Sequence, residues 1–237
     1  MTKKIKILYE DVDALVIDKP AGIAVHDDAV GRQEYTVANW VLDNLPKMKG
    51  VGENEGEVIR PGIVHRLDKD TSGVLILAKN QRSYKFLKKQ FQEGEVKKVY
   101  QAIIYGGLKS DSGIIDRPIG RNKNEFGSKA TGASARGEMR DAVTYYKVLE
   151  RFQDYSLLEL RPKTGRTHQI RVHLKSVSHP IVCDSVYASG QPCPGGLKRQ
   201  ALHAFSIEFK IPTGKNIRVE SPLPADFKKA LANLPRL

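Results

Sequence analysis

Residues 65–73 read HRLDKDTSG, with two carboxylates, Asp68 and Asp70, separated by a single lysine. A carboxylate so placed can act as a nucleophile, as a general acid or base, or as an oxygen ligand for a metal. It can equally be turn chemistry, because Asp and Ser side chains bond nearby backbone N–H groups and Gly closes tight turns. A metal set of Asp68, Asp70 and His65 is disfavoured: Arg66 and Lys69 are interleaved, and no second Asp/His cluster has ligand spacing. A second stretch, RPKTGRTHQIRVHLKSVSHP at 161–180, gathers Arg161, Lys163, Arg166, Arg171, Lys175 and three histidines, His168, His173 and His179. No HExxH-type signature accompanies those histidines, so they read as structural or nucleic-acid-facing groups. Residues alone leave open which acid matters, and whether the basic stretch is an ordinary amphipathic helix with a solvated face.

The elements that must hold these groups are mostly strands. KIKILYE, ALVIDK, GVLILAK, KKVYQAIIYGG, DAVTYYKVLE, YSLLELRPK, ALHAFSIEFKI and NIRVES are apolar or alternating and bounded by turn residues. The acids fall between PGIVH and GVLILAK, in a connection pinned by two apolar segments, which positions a carboxylate better than a loose loop does. Three helices are predicted. TVANWVLDNL has Thr36 as N-cap, NQRSYKFLKKQFQEG stops at Gly94, and THQIRVHLKSV starts from Thr167 with Ile170, Leu174 and Val177 on one stripe. Strands outnumber helices without regular alternation, giving an α+β class with a large mixed or mostly antiparallel sheet. Residues 46–62 and 117–140 lack periodicity and read as loops. The second carries six basic residues against two acids, the character of a loop that closes over nucleic-acid phosphates or of an idle surface loop.

The 237 residues carry 39 Lys and Arg against 27 Asp and Glu, a formal charge of +12, which favours a polyanionic partner, nucleic acid before membrane. No apolar run approaches the ~20 residues of a membrane span, and the start of the chain has no signal-peptide character. Cys183 and Cys193 form neither a disulfide framework nor a CxxC motif, so reduced thiols in a cytoplasmic protein are expected. No repeat and no Pro/Ser-rich linker interrupts residues 1–237, which read as a single domain.

HRLDKDTSG followed about a hundred residues later by TGRTHQIRVHL, together with KPAGIAVH at 19–26 and KKVYQAI at 97–103, resembles the RluA family of pseudouridine synthases from residue 8 to about residue 226. The resemblance implies a pseudouridine synthase fold, with flanking helices and loops around a central RNA-binding cleft. It implies that Asp68 is the catalytic aspartate, Tyr100 the active-site tyrosine and Arg171 the basic residue paired with the aspartate. Arg66 would help extrude the target nucleotide, and His65, Arg121, Arg166, His168, Ile170 and Leu174 would line or contact the substrate. Asp70 becomes a turn residue. The implied reaction isomerises uridine in structured RNA, rRNA or tRNA: the N1–C1′ bond is cut, the base turns, and C5 rejoins C1′. It imports no group and changes no oxidation state, so no cofactor and no metal are expected. Whether Asp68 attacks ribose C1′, adds to uracil or removes a ribose proton is left open by the sequence.

Arg171 would keep Asp68 ionised, since a cation within ~4–6 Å lowers a carboxylate pKa by about 1–3 units. Tyr100 would offer an aromatic face to a flipped base. KPAG begins at residue 19, leaving no room for the S4 RNA-binding domain of many relatives, and NEFGSKATGASARGEM departs from their usual pattern. The expected protein is a monomer. One rival is a catalytically silent RNA-binding or RNA-folding module on the same scaffold, which would have no use for an acid in a basic groove. A glycosidase-like hydrolase using Asp68 and Asp70 lacks a second acid at suitable separation.

Overall fold

The computed structural model describes residues 5–26, 34–53, 59–124 and 127–237. Its strands are β1 (Lys6–Glu10), β2 (Ala14–Lys19), β3 (Ser72–Ala78), β4 (Lys97–Tyr105), β5 (Ser112–Asp116) and β6 (Ile119–Asn122). They continue as β7 (Lys129–Thr131), β8 (Ala135–Arg140), β9 (Val143–Arg151), β10 (Tyr155–Pro162), β11 (Leu202–Lys210) and β12 (Asn216–Glu220). The helices are α1 (Val37–Asn44), α2 (Gln81–Glu93), α3 (Gln169–Ser176) and α4 (Ala225–Ala232). Nine of the strands belong to one large sheet, and the class is α+β, as the sequence pattern predicts. The chain divides into two compact units, Met1–Lys97 with Ala204–Pro222, and Lys98–His203 with Leu223–Leu237.

In the first unit the strand order is β1-β2-β3-β11, with β12 on β11. GVLILA is a continuous apolar run because β3 has neighbours on both edges and cover on both faces: all seven of its residues are buried. Both helices of this unit start with reciprocal caps. Thr36 Oγ1 accepts from Asn39 N while Asn39 Oδ1 accepts from Thr36 N, and Asn80 with Ser83 repeats the arrangement on α2. Gly94 ends α2 in the left-handed conformation, φ 72°, as predicted. Gln90 then ties α2 to β11, its amide donating to Lys210 O and accepting from Lys210 N.

In the second unit β4-β10-β9-β5 run antiparallel, and a separate sheet has the order β7-β6-β8. That small sheet occupies most of 117–140, which the sequence pattern reads as a loop. Its strands are only three to six residues long and β8 is almost wholly exposed, so no apolar alternation marks them. Residues 125–126 of this stretch, and 54–58 of the other aperiodic stretch, lie outside the described residues. Ile170 and Leu174 of α3 pack into a core with Ile103, Ile104, Leu158, Leu160 and Phe227, the last from α4, which the sequence reading did not foresee.

Two further expectations are corrected. Helix α3 begins at Gln169, not from a Thr167 cap: His168 occupies the cap position at φ 57° with no capping side chain. Gln169 takes over the end of the preceding loop instead, its Oε1 accepting from Thr164 Oγ1 (2.7 Å) and Arg166 N (3.0 Å). The cysteines, expected as thiols, are joined as a Cys183–Cys193 disulfide, their Cα atoms 5.3 Å apart. The fold of the intervening loop brings them together. Tyr105 pins both of its ends, its hydroxyl accepting from Cys183 N and donating to Pro192 O. No helix among the described residues is long and apolar enough to cross a membrane.

Candidate active site

The HRLDKDTSG segment is a β-turn anchored at both ends. Thr71 N donates to Asp68 O at 3.1 Å, closing a four-residue turn with Lys69 and Asp70 at its centre. Leu67 on one side and Thr71 and Ser72 on the other are buried, whereas both acids are half-exposed. Gly73 sits at φ 114°, and a Cβ there would lie 2.1 Å from Ala204 O, so only glycine lets β3 approach β11 this closely. The turn therefore cannot shift along β3 without losing the sheet.

Its tip is held from below by the KPAG segment. Lys19, fully buried at the end of β2, donates its ammonium to Lys69 O (2.9 Å), Ile23 O (2.8 Å) and Pro20 O (3.0 Å). Gly22 N donates to the same Lys69 carbonyl at 2.9 Å. An ammonium has three donors, and three backbone carbonyls around this one replace the water it has lost. The sequence shows KPAG but not this use of its lysine, because a strand-end Lys is ordinarily solvated.

His65 faces inward: Ile76 N donates to its Nε2 at 2.9 Å and its ring stacks on Phe91 at 4.5 Å. That bond makes Nε2 an acceptor, so the neutral ring carries its proton on Nδ1. Arg66 is exposed, with Nη1 3.4 Å from Nε2 of the buried His26.

In the second unit, α3 is not the solvated amphipathic helix that its charges would allow. Gln169 through Leu174 are all buried. Arg171 makes a two-pronged ion pair with Asp184, Nε to Oδ2 at 2.7 Å and Nη2 to Oδ1 at 2.8 Å, with its guanidinium 5.1 Å from the Tyr187 ring. Asp184 Oδ1 also accepts from Val186 N and Tyr187 N, so its carboxylate is fully engaged. A fork held at two points cannot rotate, and three of the five guanidinium N–H donors point elsewhere. Asp184 is the residue that sequence reasoning missed. Its apolar flank, IVCDSV, is the only trace of burial.

His173 is also buried, and burial lowers its pKa, partly offset by its bond to Arg117 O. Its Nε2 donates to that carbonyl at 3.0 Å, and Thr144 Oγ1 donates to Nδ1 at 2.9 Å while accepting from Gln169 Nε2 at 3.1 Å. His168 Nδ1 lies 3.0 Å from Tyr187 Oη, and His179 Nδ1 is 2.9 Å from Tyr105 O. Tyr100 on β4 is half-buried against the core, opposite Leu160. Ile170 and Leu174 are core residues of this unit, 6% and 0% exposed. Arg166, exposed, donates Nε to Asp141 O at 3.1 Å. Arg121 is exposed on β6, flanked across the small sheet by Lys129 and Arg136. Among the described residues no group of three or more His, Cys, Asp or Glu side chains is placed to hold a metal ion.

A positioned acid turn and a buried, braced arginine stand in a strongly basic α+β protein, and comparison with known proteins gives its class. Residues 13–176 match the RNA pseudouridylate synthase family, and the chain belongs to that family. A Bacillus subtilis protein named as an uncharacterized RNA pseudouridine synthase is 41% identical over 229 residues, 96% of this chain and 72% of its own length. A Borreliella burgdorferi ribosomal large subunit pseudouridine synthase D is 43% identical over 232 residues, 98% of this chain and 66% of its own. Among solved structures, human RNA pseudouridylate synthase domain containing 4 superposes with a TM-score of 0.73 at 28% identity, covering 96% of this chain and 92% of the other.

Proposed function

We propose that this chain isomerises uridine to pseudouridine in large-subunit ribosomal RNA, with Asp68 as nucleophile and Tyr100 and Arg171 completing the catalytic set. The observation that carries the reading is the Asp68 turn. A carboxylate in a chain of charge +12 is fixed by a buried ammonium beneath the turn, by buried residues at both of its ends and by an obligatory glycine. Such rigidity is what a nucleophile needs and a surface turn does not.

Supporting it, Asp184 holds the Arg171 fork in one orientation, the preorganisation a catalytic cation needs. Tyr100 would stack on the extruded uracil, and Arg66, exposed beside the turn, would brace the vacated stack. His168, Arg166 and Arg121 present basic or hydrogen-bonding groups to RNA, while Ile170, Leu174 and His65 support the scaffold behind the substrate. In the reaction, N1–C1′ breaks, C5–C1′ forms, the C5 proton leaves to solvent and the freed N1 takes up a proton. The two units act as one catalytic domain, a monomer working in the cytoplasm without cofactor.

Several relatives named for the ribosomal large subunit favour rRNA over tRNA as the target. Mapping pseudouridine in cellular RNA with and without the gene tests this. Loss at defined sites in large-subunit rRNA is expected, and loss confined to tRNA would refute the rRNA assignment.

A further inference from the structure

Lys98 stands two residues before Tyr100 on β4, and strand alternation puts both side chains on the same face. It is half-buried, and its ammonium makes one long hydrogen bond, Nζ to Thr164 O at 3.3 Å. The same Nζ lies 3.9 Å from where a Cβ on Gly165 would stand, an ordinary van der Waals distance that places the ammonium beside this loop. The receiving loop is rigid, because Gln169 Oε1 holds both Thr164 and Arg166, and Val143 N donates to Thr164 Oγ1 at 3.2 Å.

Within this unit the titratable groups around Lys98 are Tyr100 on its own strand, Tyr146 across β10 on β9, and Lys163, Arg166 and His168 in the loop. Glu159 and Arg161 of β10 alternate to the opposite face, where they pair with each other at 2.8 Å. Among the described residues no carboxylate pairs with Lys98, and burial alone pushes its ammonium down to about 8. A half-buried cation with one long hydrogen bond, held beside a rigid basic loop, is placed to take a partner from outside the protein.

We propose that Lys98 is a phosphate-binding residue of the RNA site: its ammonium takes a non-bridging phosphate oxygen of the substrate backbone beside the nucleotide that reaches Tyr100. The assignment rests on the RNA-isomerase reading. Phosphate fits better than a carboxylate ligand because the surrounding loop is basic and the whole chain carries +12. Binding the anion would also restore the ammonium's ordinary pKa.

The test is single-turnover tritium release from a large-subunit rRNA transcript made with [5-3H]uridine, over a range of enzyme concentrations, for wild type, Lys98→Arg and Lys98→Met. Lys98→Met should raise the half-saturating enzyme concentration about tenfold at pH 7, the loss of one charge-assisted contact, and leave the maximal rate within about twofold. In wild type the half-saturating concentration should climb about fourfold from pH 6.5 to 8.5 as the ammonium loses its proton. In Lys98→Arg it should not, because guanidinium stays charged. An unchanged half-saturation in Lys98→Met, a loss confined to the maximal rate, or the same pH climb in Lys98→Arg would overturn the assignment. If Lys98→Met does not fold, the wild-type and Lys98→Arg pH profiles decide. If wild type releases no tritium, the isomerase reading fails, and filter retention of the same transcript, with the same expected pH contrast, still decides whether Lys98 binds phosphate.

Discussion

Lys19, at the end of β2 in the first unit, is fully buried and gives its ammonium to three backbone carbonyls around the Asp68 turn. Lys98, at the start of β4 in the second unit, is half-buried and has one carbonyl at 3.3 Å. The same side chain thus does two kinds of work. Where the protein supplies every acceptor, the lysine is a fastener, and its loss would strand carbonyls in the interior. Where it supplies one, the lysine carries an unmet demand that costs stability and is available to a ligand. Arg171, with Asp184 fully committed to it, shows the fastened kind within the second unit.

Breaking a fastened cation should cost most. Asp184→Asn leaves the Arg171 guanidinium without its counter-ion and should cost about 3–5 kcal/mol in urea unfolding, with turnover lost. Lys19→Met should cost about 3 kcal/mol, since buried carbonyls left without donors cost about 1–3 kcal/mol each and Lys69 O keeps its bond from Gly22. Lys98→Met should have the opposite sign, stabilising the protein by on the order of 1–3 kcal/mol at pH 7 while weakening RNA binding. The sign follows from linkage. The folded-state pKa of Lys98 lies below its unfolded value, so between about 8 and 10.5 the unfolded chain binds more protons and wild-type stability rises with pH. That rise should vanish from the urea titrations of Lys98→Met. A destabilised Lys98→Met would erase the distinction between the two lysines.

The smallest effect is expected at His173, whose pKa is lowered by burial. The unfolded chain then binds more protons as pH falls through the ordinary histidine range, so stability drops with acidification below about 6.5. His173→Gln, which can still donate to Arg117 O, should flatten that part of the stability profile.

These contrasts also explain what could be read from the sequence. The strand runs, the Thr36 cap and the Gly94 stop follow from local patterning, and they stand where it puts them. The reaction class was legible because HRLDKDTSG and HQIRVHL are long and gap-free. The burial of α3 was not, because Arg171, His173 and Gln169 look solvated until Asp184, Thr144 and Val143 are known to meet them. Those partners lie 13 to 29 residues away along the chain, beyond any periodicity argument. The small sheet of β6, β7 and β8 was hidden by its exposure, and the Cys183–Cys193 bridge by a loop whose closure depends on Tyr105. Lys19 and Lys98 are identical letters in the sequence. Only the count of acceptors around each tells them apart.

The most direct test of the account is tritium release from [5-3H]uridine-labelled large-subunit rRNA by wild type, Asp68→Asn and Asp70→Asn. Both acids are half-exposed and sit in the same turn, so burial does not choose between them. The account predicts release by wild type, none by Asp68→Asn, and retained release by Asp70→Asn. Activity in Asp68→Asn with none in Asp70→Asn would contradict it.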